Sequence, residues 1–313
     1  MNIAVLIGAG ASYGAGGIAP EQPPHGDELF DRLQQEFPES WGSLLDDEEC
    51  QAFGGDPPFE AGMKMLWENN DERLSRLLID MAIYFSRFRP DGSLNCYAAL
   101  LQLLMTTSRI DVFFCSLNYE CVFEQVAQQV GLDLINLGRG GSEGERRACL
   151  YKPHGSCNYI DPITRNFYGT ISGSPHYVYR QQPALTDFEV LNCPEVEALY
   201  DTGVTVPPVM SLYEATKHSP VGSTLMDMIR KAWAQGAASA EVILAIGARP
   251  VLNDHHIWDA VINSSASVWF VGGQEDDAYS ALEKEIGNRL VHLASTFEVA
   301  IPVLQRRLAA IAI

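Results

Sequence analysis

The apolar positions of this chain alternate between two periods. Residues 3–7, IAVLI, form an unbroken apolar run that stops at Gly8. That is the pattern of a strand buried on both faces of a parallel sheet. Similar runs recur at 110–118 (IDVFFCSLN), 240–247 (AEVILAIG) and 267–273 (SVWFVGG), with a shorter one in LDLINLG. CLYKPHGSCNYI (149–160) reads as strand, turn, strand, and TFEVAI (296–301) as a last strand before a short C-terminal helix. Between these runs the period becomes helical. DELFDRLQQEF (27–37) puts Leu29, Phe30, Leu33 and Phe37 on one face, with Asp27 as its cap. Further amphipathic helices are predicted over 70–88, 94–106, 222–236, 254–263 and 277–293. YECVFEQVAQQVG adds another, closed by Gly131 at its C-terminus.

Strands that alternate with helices predict an α/β fold, a Rossmann-like parallel sheet with helices on both faces. The first strand stands alone at residue 3, and strands return only after residue 109. Residues 26–108 therefore read as a helical insertion within a single domain spanning 1–313. Residues 161–220 carry many Pro, Gly and Tyr and little periodicity. They read as a second, irregular insertion with short strands. Within the first insertion, FGGDPP (53–58) reads as a loop, and the acidic run DDEE (46–49) as a solvated one.

Composition narrows the function classes. The chain has 313 residues, 47% hydrophobic, with 40 acidic against 21 basic side chains and a net charge of −19. Such a surface repels phosphate backbones and excludes direct nucleic-acid binding without a hidden basic patch; it suits a basic protein partner. Seven cysteines occur without a CxxC pair. That argues against a zinc ribbon or a disulfide framework and for buried thiols in a reducing compartment. No Lys or Arg precedes Arg32, and no run of 18 apolar residues exists. The expectation is a cytoplasmic protein with no membrane span.

Three turns carry candidate chemistry. In NIAVLIGAGASYGAG, Gly8 and Gly10 follow the first strand, at the edge where open α/β sheets bind ligands. The backbone N–H groups of Ala9 to Ser12 and the Ser12 hydroxyl suit phosphate oxygens. The spacing is not GxGxxG, no acid follows about 20 residues on, and no Walker lysine is present. The other reading is a tight turn with no ligand. SLNYE places Asn118 after a strand, as a functional amide or as a helix N-cap. KPHGS places His154 after another, as a base or as part of a turn shaped by Gly155. His255 and His256 are adjacent on a helix and point apart, so they read as surface residues and not a metal pair.

In this order, GAGAS, NYE and HGS are similar to motifs of the SIR2 (sirtuin-like) superfamily: GAGxS, TxN(Y/I)D and HG. VILAIGARPVLNDHHIW resembles that family's late strand-to-helix segment. The departures are specific. The four-cysteine zinc ribbon is missing, and GIAPEQPPHGDEL replaces GIPDFR. Glu120 stands for the motif Asp, Ala248 and Arg249 replace the GxS serine, and FVGGQED lacks the usual Asn. With these departures the chain looks most like the zinc-free SIR2 proteins of bacterial anti-phage systems, which hydrolyse NAD.

The resemblance implies NAD as substrate, no metal, and Asn118 and His154 as catalytic residues. Gly8, Ala9, Gly10, Ala11 and Ser12 would hold the diphosphate. Glu120, Gly155, Gly247 and Asp254 would complete the site; a turn for Gly247 and an N-cap for Asp254 are their other readings. The bond cleaved, nicotinamide to ribose, breaks through an oxocarbenium-like transition state, so the site needs a positioned nucleophile more than an acid on the leaving group. The resemblance also implies a homo-oligomer restrained by a partner such as a HerA-type ATPase or a short Argonaute. A protein deacylase or ADP-ribosyltransferase, and a non-catalytic NAD or ADP-ribose sensor, are the alternatives.

Overall fold

The structure is a computed structural model describing residues 1–55, 59–69, 73–92, 94–107, 110–137, 146–161, 188–212 and 221–311. Its centre is strand β1 (Asn2–Ile7), buried from Ile3 onward. The alternation within IAVLI sends Ile3, Val5 and Ile7 to one face and Ala4 and Leu6 to the other, so each face of the strand feeds a separate core. Each fully buried aliphatic side chain contributes about 1.5–3 kcal/mol, which makes an apolar run of this length a strong determinant of register.

Around β1, the described residues form a seven-stranded sheet. One flank holds β4 (Asp111–Ser116), β6 (Arg147–Tyr151) and β5 (Asp133–Ile135). The other holds β9 (Val242–Ile246), β10 (Ser267–Val271) and β11 (Leu290–Ala294). All pairings are parallel. The carboxyl ends of β1, β4, β6 and β9 therefore share one edge, where chain order switches from one flank to the other. The Rossmann-like expectation holds.

Helices cover both faces. On one, α6 (Cys96–Thr106), α7 (Val122–Gln129) and α12 (Phe297–Ile311) pack with the other helices that lie between β1 and β4. On the other, α9 (Ser223–Ser239), α10 (His255–Asn263) and α11 (Asp277–Ile286) bury Trp233, Trp258 and Leu282. The segment between β1 and β4 also holds α2 (Gly26–Glu36), α3 (Asp47–Phe53), α4 (Glu60–Glu68) and α5 (Leu74–Ser86), with a short antiparallel pair, β2 (Ile18–Ala19) and β3 (Arg89–Pro90). An aromatic cluster fastens it, with Phe30 stacked on Phe53 at 4.4 Å and Trp41 on Phe59 at 5.7 Å between ring centres.

Several local expectations change. DDEE is not a loop: Asp46 caps α3 by accepting from the Glu49 N–H at 2.9 Å, and the Asp46 N–H in turn donates to Glu49 Oε2 at 2.9 Å. Glu49 is then buried against Arg73. His25, not Asp27, stands at the N-cap of α2, and Asp27 lies in its first turn. Residues 277–293 divide into α11 and β11, and TFEVAI lies not in a strand but at the start of α12. There Phe297, Ala300, Leu304 and Leu308 make the buried stripe while Pro302 is exposed. Part of 161–220 is regular. β7 (Tyr159–Ile160) pairs with β8 (Glu189–Val190), and α8 (Cys193–Asp201) follows. Residues 138–145, 162–187 and 213–220 lie outside the described residues.

The cysteines are free. Cys115, Cys121, Cys157 and Cys193 are buried, Cys50 and Cys96 partly so, and Cys149 is exposed. Among the described residues no helix is long and apolar enough to cross a membrane.

Candidate functional site

The loop after β1 is seated on the loop after β9. Gly8 donates its N–H to the Ile246 carbonyl at 3.0 Å, and Gly10 to the Gly247 carbonyl at 3.0 Å. Gly247 has φ +57°, and a Cβ there would lie 2.0 Å from the Ala11 nitrogen. A Cβ at Gly8 would lie 2.5 Å from the Ala248 Cα. These glycines thus let two backbone turns touch. The short helix α1 (Ala9–Tyr13) starts on that seat, with Ala9 exposed and Ala11 and Ser12 buried.

Ser12 opens a buried polar cluster. Its hydroxyl donates to Glu120 Oε1 at 2.6 Å, so its lone pairs receive the Tyr97 hydroxyl at 2.7 Å and Asn118 Nδ2 at 3.0 Å. Asn118 Nδ2 also donates to Glu120 Oε1 at 2.9 Å. Glu120 Oε2 accepts from the Val122 N–H at 2.5 Å, at the start of α7. Glu120 therefore holds the Asn118 amide and the first N–H of α7 at once. Burial pushes the Glu120 carboxyl up, against the pull of Lys152, the Ser12 hydroxyl and the Val122 N–H. Burial likewise raises Tyr97 well above its ordinary value, so its phenol stays a donor.

This network fixes the Asn118 amide. Its NH2 must face the Glu120 carboxylate, because the flipped carbonyl would meet two acceptor oxygens. Asn118 is 7% exposed, and its Oδ1 is buried without a hydrogen-bond partner.

His154 lies three residues past β6, on the strand beside β4. Its turn depends on Gly155, at φ +78°, where a Cβ would lie 2.1 Å from the Val209 carbonyl oxygen. The His154 carbonyl accepts from the Ser211 N–H at 2.8 Å, and Arg230 Nε donates to the Pro153 carbonyl at 3.3 Å. Lys152, fully buried, ties this turn to the previous one. Its ammonium donates to the Glu120 carbonyl at 2.8 Å, Glu124 Oε1 at 2.7 Å and Ser156 Oγ at 2.8 Å. The Cys157 N–H adds a bond to the Tyr119 carbonyl at 3.0 Å.

The fold thus joins Ser12, Asn118 and Glu120 by direct bonds and sets His154 and Gly155 in the adjoining turn. Gly8, Gly10, Ala11 and Gly247 meet in one backbone contact. Asp254 is at the N-cap of α10, but through its carbonyl, which accepts from Ile257 and Trp258; its side chain makes no capping bond. Ser12 and Gly10 already have partners within the chain. Tyr97, Lys152 and His256 escaped sequence reasoning. His255 is exposed and pairs with Asp259, as a surface histidine does. His256 is not a surface residue: it is half-buried, with Nε2 3.1 Å from His154 Nε2. Among the described residues no group of three His, Cys, Asp or Glu side chains is arranged to hold a metal ion.

No protein-family model matches the chain, and no curated protein matches it. Solved structures do. A structure from work on the mechanism and regulation of Sir2 enzymes superposes with a TM-score of 0.50 at 12% identity, covering 99% of this chain and 92% of that one. A Sir2 homologue in complex with NAD gives 0.48 at 14% identity, over 100% and 91% of the two chains. Sir2Tm bound to a propionylated peptide gives 0.47 at 11%, over 97% and 92%. The chain has a Sir2 fold across nearly its full length.

Proposed function

We propose that this chain is an NAD glycohydrolase that cleaves the nicotinamide–ribose bond to give nicotinamide and ADP-ribose. The observation that carries the reading is Asn118. A buried carbonyl oxygen without a partner costs about 1–3 kcal/mol. Here it is held rigidly, by both amide hydrogens, at the sheet edge where α/β folds take ligands. A water, a ribose hydroxyl or a carboxamide N–H that donates to Oδ1 relieves it.

His154, from the neighbouring strand, is the base that accepts a proton from the attacking water. Glu120 and Ser12 position Asn118. The diphosphate lies along Gly8 to Ser12, touching the loop chiefly at exposed Ala9, with Gly155, Gly247 and Asp254 on the flanks of the site. NAD is the substrate, and no metal takes part. Following the resemblance of the ordered motifs, the activity serves anti-phage defence by depleting NAD. The enzyme is then a cytoplasmic homo-oligomer restrained by a protein partner such as a HerA-type ATPase or a short Argonaute.

The test is to incubate the purified protein with NAD, alone and with the products of neighbouring genes, and to follow nicotinamide by chromatography. Asn118→Ala and His154→Ala should each abolish release. Turnover that survives both substitutions sinks the assignment. Turnover that needs an acylated peptide makes the protein a deacylase. NAD binding without cleavage under every condition makes it a sensor.

A further inference from the structure

His154 and His256 meet through their ring nitrogens, Nε2 to Nε2 at 3.1 Å. Their ring centres are 5.1 Å apart and the planes are inclined by 56°, so the rings do not stack. A neutral imidazole carries one hydrogen, on either nitrogen. A contact this short between two nitrogens is attractive only when one bears the hydrogen and the other a lone pair. One ring must therefore carry its hydrogen on Nε2 and the other on Nδ1.

The two rings also differ in their access to water. His154 is 6% exposed. His256 lines an open groove of about 320 Å³ between α9 and α10, with Asp227, Arg230, Lys231, His255 and Asp259. Arg230 holds the His154 turn through the Pro153 carbonyl and through Ser211 Oγ at 3.1 Å. His256 thus touches both the buried base and the open groove.

Hydrolysis of NAD+ gives this arrangement a task. The water oxygen bonds to the ribose anomeric carbon, and the carbon–nitrogen bond breaks with its electron pair staying on nicotinamide. One water hydrogen remains on the new hydroxyl, and the other leaves as a proton. A base buried as deeply as His154 must pass that proton on before the next turnover.

We propose that His256 is the proton relay of His154: as His154 takes the released proton at Nδ1, its Nε2 hydrogen crosses the Nε2–Nε2 contact to His256, and the Nδ1 hydrogen of His256 leaves into the groove. This rests on the glycohydrolase reading for its task, but not for the pairing itself. His256 acts through His154 and does not touch the substrate.

Two measurements test it. Long-range proton–nitrogen NMR of the imidazoles, assigned with His154→Gln and His256→Gln, reports the tautomers at a pH where both rings are neutral. Opposite tautomers are expected, and the same tautomer on both rings overturns the pairing. In kinetics, His256→Ala should lower kcat by about 10–100-fold, less than the roughly 10²–10⁴-fold of a lost general base because groove water still takes the proton slowly, with KM for NAD within about twofold. Added imidazole should restore much of the loss. His256→Gln keeps a hydrogen bond to His154 but cannot pass a proton, so it should remain slow. A glutamine variant with wild-type kcat, or an alanine variant whose loss lies in KM and ignores imidazole, overturns the relay. If the wild-type protein releases no nicotinamide, the glycohydrolase reading fails and the relay with it, while the tautomers still decide the pairing.

Discussion

Replacing Lys152 by methionine tests what holds the site together. The unbranched stem keeps its volume, but three hydrogen bonds vanish, those to the Glu120 carbonyl, Glu124 Oε1 and Ser156 Oγ. In the wild type, burial opposes the ammonium, yet the Glu124 carboxylate holds it charged, above the ordinary lysine value. Breaking a buried pair from one side costs about 3–5 kcal/mol while the remaining partner stays charged. With unfolding entropy near 2.1 cal/mol/K per residue, a chain of 313 residues should lose about 5–8 °C in Tm.

The loss should depend on pH. Burial pushes the Glu124 carboxyl up to about 7 against the pull of Lys152, and removing Lys152 moves it higher still. A raised carboxyl binds a proton in the folded chain that the unfolded chain has released. Its contribution is full below the unfolded pKa and is lost as pH rises through the folded one. In the wild type that loss ends near pH 7, whereas in the variant it continues upward by about 1.4 kcal/mol per pH unit. The Tm gap between the two proteins should therefore be wider at pH 8.5 than at pH 6, and Glu124→Gln in the Lys152→Met background should narrow it. Calorimetry at the two pH values decides. A gap under 1 °C at both, or one no wider at pH 8.5, refutes the reasoning.

Gly247→Ala should destabilise by about 3 kcal/mol or more, read by urea denaturation, because its Cβ would lie 2.0 Å from the Ala11 nitrogen at a φ of +57°. Glu120→Gln turns an amide NH2 toward one of the donors that Glu120 now accepts, so Asn118 loses its hold. A Tm lowered by a few degrees is expected, with any loss of nicotinamide release in kcat more than in KM. Asp276→Ala removes the N-cap bond from the Ala278 N–H and should cost about 1 kcal/mol. Because its partner Arg249 is mostly exposed, that loss should change little between low and high salt.

The placement of the candidate residues was legible wherever it depends on strand ends. Gly8, Asn118, His154 and Gly247 each follow an apolar run, and parallel strands necessarily bring such positions to one edge. The local misreadings had signals in the chain. Asp46 and Glu49 stand at capping-box spacing. The stripe Phe297, Ala300, Leu304 and Leu308 follows the helical period, although Pro302 and the alternation in TFEVAI argue for a strand. The α8 helix carries Pro194 in its first turn behind the capping Asn192.

Other features had no local signal. Lys152 reads as a surface cation until β4 and β6 are paired, since what buries it are acceptors 28 and 32 residues away. His256 lies 102 residues from His154, and adjacent histidines on a helix differ only by which one the helix turns inward. That rotation is set by Ile257 and Trp258 packing into the core beneath β9, which leaves His256 on the flank beside the β6 turn. The same logic applies to the glycines. Their spacing fits no dinucleotide fingerprint because their small size is used first for the contact between the turns after β1 and β9. What that contact places beside Asn118 is the Ser12 hydroxyl. The loop therefore acts on the candidate site from behind, by fixing the amide whose Oδ1 has no hydrogen-bond partner among the described residues.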